Sequence, residues 1–466
     1  MKKILLSIVA VCHFFSADCA KLKITCRSKG MELTLLKEAI NDWIKTTGGQ
    51  HEVEIVTLPH ASNECFALYQ QWLSAESFDV DVLLVDYVWV GIFSNYLVDL
   101  SEAYEPGEID EIDIDDCFDS VVASIYSDGK LLALPMYTDA GVIFYRQDLL
   151  NKYDRSVPTT WEELYETAKY VQNEERKDPE KKNKFYGFVF QAKAFEILTC
   201  NFLEFVDSFG GAIVKDGEAA VNSEAAVDAT MFIIKCLNNI TNKSVLNYSE
   251  EDARGAFQSG NAVFMRSWPY SWALLNDPST VVAGKVGVMA IPPRAKEGKP
   301  SGSSGGWCMA ISKYSKNKKV AASLIKFLTS KNQQRLRAKY SYSPTYKSLY
   351  KDREVLKSCP FLAQIYDSLE NAVARPSADF GKNYPRASSE IYNVVNGILT
   401  NSIEDDNMTE AHVKKLLDRL NKKLNSLLKK TNGETKPEKE EGESFWTKIK
   451  KFLGFEDEAG TDKKEG

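Results

Sequence analysis

DVDVLLVDYVWVGIFSNYLVDL, residues 79–100, opens on Val80-Asp81-Val82-Leu83-Leu84-Val85, a nearly continuous apolar run. Such runs belong to parallel strands buried on both faces. Upstream, Lys21–Cys26 reads as a short strand. Leu33, Leu36, Ile40, Trp43 and Ile44 then share one helical face, and Gly48-Gly49 ends that helix. His51–Leu58 is a second strand, with Val53, Ile55 and Leu58 partly alternating, and Phe66, Tyr69 and Leu73 mark a second helix. Strands and helices that alternate with short links predict a parallel α/β sheet covered on both faces.

Downstream the texture repeats. Leu131–Met136 and Gly141–Tyr145 read as strands after a Ser127-Asp128-Gly129 turn. Thr160-Trp161-Glu162-Glu163 is a capping box, opening a helix with Trp161, Leu164, Tyr165 and Ala168 inward. Glu174–Lys184 is a charged surface loop, and Val286–Ile291 is a strand closed by Pro292-Pro293. Residues 294–306, rich in Gly, Ser and Pro, read as a loop. Met309–Ser312 and a helix through Leu324, Ile325 and Leu328 follow. No repeat of 20–50 residues is present.

The chain has 466 residues, 44% hydrophobic and 26% charged. At ~150 residues per domain, two or three domains are expected. Its net charge of −7, from 65 acids and 58 bases, argues against a nucleic-acid partner. Lys2 and Lys3, the apolar Ile4–Phe15 and the small or polar Ser16–Ala20 have the layout of a signal peptide over residues 1–20. Cleavage after Cys19 or Ala20 would leave an exported, periplasmic chain. A lipoprotein anchor on Cys19 is disfavoured, because Ser16 stands where a large aliphatic belongs and Asp18 where a small residue belongs. Seven scattered cysteines then remain, without zinc spacing, and read as small buried hydrophobes. A Cys26–Cys65 disulfide is conceivable, but the sequence does not establish it.

No H-E-x-x-H, G-x-S-x-G, Walker A loop or G-x-G-x-x-G occurs, so no enzyme class, cofactor or metal is expected. Binding residues do stand out. Asp86 ends the strand at Val85, and Asp139 follows the Leu134–Thr138 strand end; ligands of open α/β sheets sit outside such ends. An ionised carboxylate accepts two sugar hydroxyls well, although each Asp alone reads equally as a cap or turn former. Trp268-Pro269-Tyr270-Ser271-Trp272 cannot be regular strand, and Trp307 follows the glycine-rich Gly302–Gly306. Flat aromatics would cover the apolar face of a pyranose while carboxylates and Arg375 bond its rim.

Six ordered stretches carry a family resemblance: 79–100, 134–153, 158–164, 257–272, 305–328 and 374–398. They resemble family-1 extracellular solute-binding proteins of ABC importers, the group similar to trehalose/maltose-binding proteins. The resemblance implies a two-lobed periplasmic-binding-protein fold (class II type), with hinged α/β lobes around a ligand cleft. One lobe would comprise 21–134 and 286–330, the other 135–285 and 331–402. Asp86, Tyr137, Asp139, Trp268, Tyr270, Gly306, Trp307 and Arg375 match sugar-contact positions, and Glu32 a further one. The turn at 61–64 lacks the basic side chain that sugar-binding members often offer. The implied function is capture of a carbohydrate, a disaccharide of trehalose or maltose type, by cleft closure, with delivery to an ABC permease by a monomer.

Three readings compete with this one. A polyamine would also suit carboxylates and aromatic faces. A surface interaction module would show no ligand-dependent closure, and a glycoside hydrolase would cleave its disaccharide. Beyond the lobes, residues 403–430 read as a basic amphipathic helix and 431–444 as a disordered linker. Residues 445–466 read as a short amphipathic segment and charged tail. Phe445, Trp446, Ile449, Phe452 and Leu453, flanked by Lys448, Lys450 and Lys451, suggest peripheral membrane contact through 445–455.

Overall fold

The computed structural model describes residues 19–27, 30–59, 62–105, 107–404 and 408–434. Residues 1–18, most of the expected signal peptide, and the segment from 435 onward, with the expected membrane-contact stretch 445–455, lie outside the described residues. The main strands are β1 (Lys21–Arg27), β2 (Glu52–Leu58), β3 (Val82–Asp86), β4 (Ala133–Ala140), β5 (Val142–Arg146), β6 (Tyr186–Val189), β7 (Ala262–Ser267), β8 (Val286–Ala290) and β9 (Ser304–Ile311). The helices that bear on the site are α1 (Met31–Thr46), α2 (Ser62–Ser74), α3 (Trp161–Glu175), α4 (Glu196–Ser208), α5 (Glu224–Asn239), α6 (Glu250–Gln258), α7 (Lys318–Thr329), α8 (Tyr384–Glu404) and α9 (Glu410–Glu434).

Two sheets form two α/β lobes. The first has the order β2-β1-β3-β9-β4, the second β8-β5-β7-β6. β1 runs parallel to β2 and β3, as the alternating pattern predicts. β9 runs antiparallel to both its neighbours, so the first sheet is mixed rather than wholly parallel. The reason is topological: β9 returns from the second lobe and enters where β3 and β4 end.

Strand pairing moves the lobe boundaries. β8 pairs with β5, which places 286–290 in the second sheet rather than in the first lobe. β4 continues to Ala140, so the first crossing falls at Gly141, not at residue 135. Residues 331–352 pack on the first lobe rather than the second. Gln334 Nε2 donates to the Pro135 carbonyl (3.0 Å), and Phe118 N donates to the Thr345 carbonyl (3.2 Å). Pattern identifies a strand or helix locally, whereas its sheet is set by distant partners.

Three crossings join the lobes and bond to one another. Gly141 N donates to Ser303 O (3.1 Å), Ser304 N to Val373 O (2.7 Å) and Val373 N to Gly302 O (2.8 Å). The backbones approach so closely that a Cβ on Gly302 would lie 2.5 Å from the Gly141 carbonyl oxygen. Beside them, Glu204 of α4 accepts from Ser303 N (3.0 Å), from Ser303 Oγ (2.8 Å) and from both Nε and Nη2 of Arg266. A buried carboxylate with this many donors satisfies its lone pairs without water.

Local signals were kept where their chemistry is local. α1 buries Leu35, Leu36, Ala39, Ile40 and Trp43, and Gly48 and Gly49 both take positive φ (76°) after it. Thr160 Oγ1 caps α3 by accepting from Glu163 N (3.2 Å). The returning arm of the expected capping box shifts by one residue, because the Glu163 carboxylate takes Thr159 N (2.8 Å). The 403–430 helix is the end of α8 followed by α9. α9 continues to Glu434, so 431–434 is helix rather than linker, since no breaker precedes Gly433. Cys26 and Cys65 are both buried free thiols, without a disulfide between them.

Candidate functional site

β1, β3 and β4 end at one edge of the first sheet, and β9 starts there. Arg27, Asp86, Asp139 and the Gly305-Gly306-Trp307 run therefore gather at this edge, facing residues 195–204, 250–252 and 266–271 of the second lobe. All nine residues singled out in the sequence lie around this interface.

Asp86, the last residue of β3, caps the following helical turn, accepting from Val88 N (3.3 Å). It also takes both terminal nitrogens of Arg375, Nη1 at 3.1 Å and Nη2 closer. Arg375 Nη1 donates in addition to Glu196 Oε1 (3.0 Å) at the start of α4. Glu196 further accepts from Tyr384 OH and Ser388 Oγ, each at 2.6 Å. Burial works against the charge of Arg375, but Asp86 beside it holds its pKa well above the ordinary value. Asp86 and Arg375 thus spend much of their bonding capacity on each other and on a bridge between the lobes.

Asp139 differs. It is 9% exposed, and its carboxyl has no hydrogen-bond partner among the described residues. Burial, with Glu32 and Asp86 adding to it and Arg27 and Arg266 opposing, pushes its pKa up to about 8. Burial thus favours the protonated form of this carboxyl, which has one O–H to donate and a carbonyl oxygen to accept, over the ionised acceptor expected. Asp139 lies opposite Gly305 in the β4–β9 register. The Trp268 ring covers Gly305: a Cβ there would sit 3.2 Å from Cζ3 of the ring and 3.5 Å from Asp139 Cβ. Behind the ring, the Arg266 guanidinium is 4.0 Å from its centroid. Trp268 is half-buried, a flat wall beside a partnerless carboxyl.

The third group surrounds Arg27, which the sequence reading missed. It ends β1 as Asp86 ends β3, so the strand-end rule could have found it. Its guanidinium lies 4.9 Å from the Trp307 ring centroid. Burial opposes its charge, yet Tyr137, Glu32, Glu250 and Tyr270 together hold its pKa above the ordinary value. This arginine supplies a cation at the cleft where the 61–64 turn offers none. Tyr137 OH donates to Glu32 Oε1 (3.2 Å) in the first turn of α1, and its ring meets Tyr342 at 5.1 Å. Tyr270 OH donates to Glu251 Oε1 (2.9 Å) of α6.

Two tryptophans are less available than the sequence suggests. Trp307 is 6% exposed and meets Trp89 edge-on at 5.4 Å, inside the sheet's packing. Trp272 stacks on Phe361 (5.0 Å, 15°) and is a packing residue. Gly306 has φ +127°, and a Cβ would meet the Tyr137 carbonyl oxygen and Tyr87 Cε2, each at 2.5 Å. Among the described residues no cluster of His, Cys, Asp and Glu could hold a metal, and no helix is long and apolar enough to cross a membrane.

The family model of bacterial extracellular solute-binding proteins matches residues 33–335. A probable ABC transporter-binding protein of Deinococcus radiodurans is 40% identical over 396 residues, 84% of this chain and 92% of its own length. Among solved structures, maltose-bound T. maritima MalE3 is 34% identical with a TM-score of 0.79, covering 88% of this chain and 100% of that one. A solute-binding protein of Agrobacterium radiobacter in complex with ribitol is 25% identical with a TM-score of 0.74, covering 88% and 99%. With two lobes meeting at one interface, the family match over residues 33–335 and the 40% identical relative make the chain a member of the bacterial extracellular solute-binding proteins, the ligand-capturing components of ABC transporters.

Proposed function

We propose that the captured ligand is a neutral carbohydrate of disaccharide size, of the trehalose or maltose type. The observation that carries this reading is Asp139: a buried carboxyl without a hydrogen-bond partner among the described residues, beside the half-buried Trp268. A flat ring covers the C–H face of a sugar, and a carboxyl that both donates and accepts can bond a hydroxyl. Arg27 lies beside Glu32, Arg266 pairs with Glu204, and Arg375 pairs with Asp86 and Glu196, so each of these carboxylates already has a cation next to it rather than waiting for a polyamine. The T. maritima relative holds maltose and the A. radiobacter one ribitol, both neutral polyhydroxyl compounds.

Ligand bonded by side chains of both lobes binds the closed form in preference to the open one. Its differential affinity shifts the lobe equilibrium, and the closed form is what the permease reads. A thermal-shift screen over maltose, trehalose, ribitol, a sugar phosphate and spermidine tests the reading. At 100 times its dissociation constant, a cognate disaccharide stabilises the fold by ~2.7 kcal/mol. A shift with spermidine or the sugar phosphate alone would overturn it.

A further inference from the structure

The outer face of α9 carries a row of cations that the cleft does not use. The helix is held to the second lobe by Val413, Leu417, Leu420, Leu424, Leu427 and Leu428, all buried. Its contacts are with α5 and α8 and, through Asn425 Oδ1, which accepts from Ala219 N (2.9 Å), with a short hairpin. Opposite that apolar seam stand Lys415, Arg419, Lys422 and Lys429, all exposed. Their spacings of four, three and seven residues put them on one helical face. From Lys415 to Lys429 the row runs about 21 Å at 1.5 Å per residue.

None of these four makes an ion pair among the described residues, whereas Lys414 and Lys423 on the flanks pair with Asp418 and Glu390. Between Glu410 and Lys430 there are seven basic and two acidic side chains, in a chain whose net charge is −7. The fold therefore concentrates positive charge here against the sign of the whole.

We propose that this face docks on an anionic lipid surface, with the outer side of the second lobe towards the membrane. Charge complementarity names the partner. The row is straight and holds no exposed aromatic or aliphatic anchor of the kind that protein interfaces bury at their centre. A line of lysines and one arginine matches a diffuse plane of negative headgroups, each cation adding to the attraction within a Debye length.

The test is co-sedimentation of the full chain with vesicles of phosphatidylcholine alone, and of equal parts phosphatidylcholine and phosphatidylglycerol, at low and high salt. The expected result is partitioning to the anionic vesicles that salt weakens. Partitioning should fall on the order of a hundredfold in the variant combining Lys415→Gln, Arg419→Gln, Lys422→Gln and Lys429→Gln. These four residues touch neither the cleft nor the buried seam, so unchanged circular dichroism and an unchanged thermal midpoint show that the variant folds. Equal binding to both vesicle types, binding to neither, or a folded variant that binds like the parent would each overturn the proposal. So would a chain ending at Glu434 that loses all binding, since the tail alone would then be the dock.

Discussion

Trp268 and Trp307 look alike in the sequence, each at the edge of a turn, and differ in what they touch. Trp268 is half-buried, over Gly305 of the opposite lobe and against Arg266, so Trp268→Ala should cost less stability than Trp307→Ala. It should cost at least about thirtyfold in affinity, the scale of a buried aromatic anchor. Isothermal titration with the ligand from the screen reads the second effect. Trp307→Ala instead opens a hole beneath Arg27 and beside Trp89, and should destabilise the fold by about 3–5 kcal/mol in a urea titration. Asp139 gives a pH prediction. Between pH 3.8 and about 8 the folded chain keeps a proton there that the unfolded chain has released. Stability therefore falls as pH rises through that window, by up to about 1.4 kcal/mol per pH unit. Asp139→Asn removes this slope. Melting both proteins without ligand across the window checks it: the difference between them should grow in favour of the variant as pH rises, and a constant difference would contradict it.

β1, β3 and α1 were legible because their signals are local: a short apolar run, a 3.6-residue stripe, a pair of terminal glycines. β9 was not. Gly302-Ser303-Ser304-Gly305-Gly306 has the composition of a loop, yet residues 304–306 are strand. Their glycines serve close approach, of the β4 backbone to Gly306 and of the Trp268 ring to Gly305, and neither neighbour is near in sequence. Gly306→Ala tests this. It adds a Cβ 2.5 Å from the Tyr137 carbonyl oxygen at φ +127°, where a side chain is strained in any case. A loss of about 2–3 kcal/mol is expected, read as a lower urea midpoint with unchanged slope. A true loop glycine there would tolerate alanine.

The two-lobed architecture was legible only through the order of six motifs; the composition of each lobe was not. The site was legible where strand ends carry acids and illegible where they carry Arg27, because a basic residue at a strand end reads equally well as a solvated surface charge. Glu196 and Glu204 were missed for a different reason: α4 is apolar nearly all round, and its two working carboxylates find their partners only when Arg375 and Arg266 arrive from elsewhere. The same remoteness governs how the molecule is made. β3 and β4 are neighbours in space with one strand's width between them, and that strand is β9. A chain growing from its N-terminus holds two unpaired edges side by side until residue 311 has emerged. Neither half of the first sheet is a finished folding unit before then, so the nascent polypeptide stays loose and exposed to wrong edge-to-edge pairing for most of its synthesis.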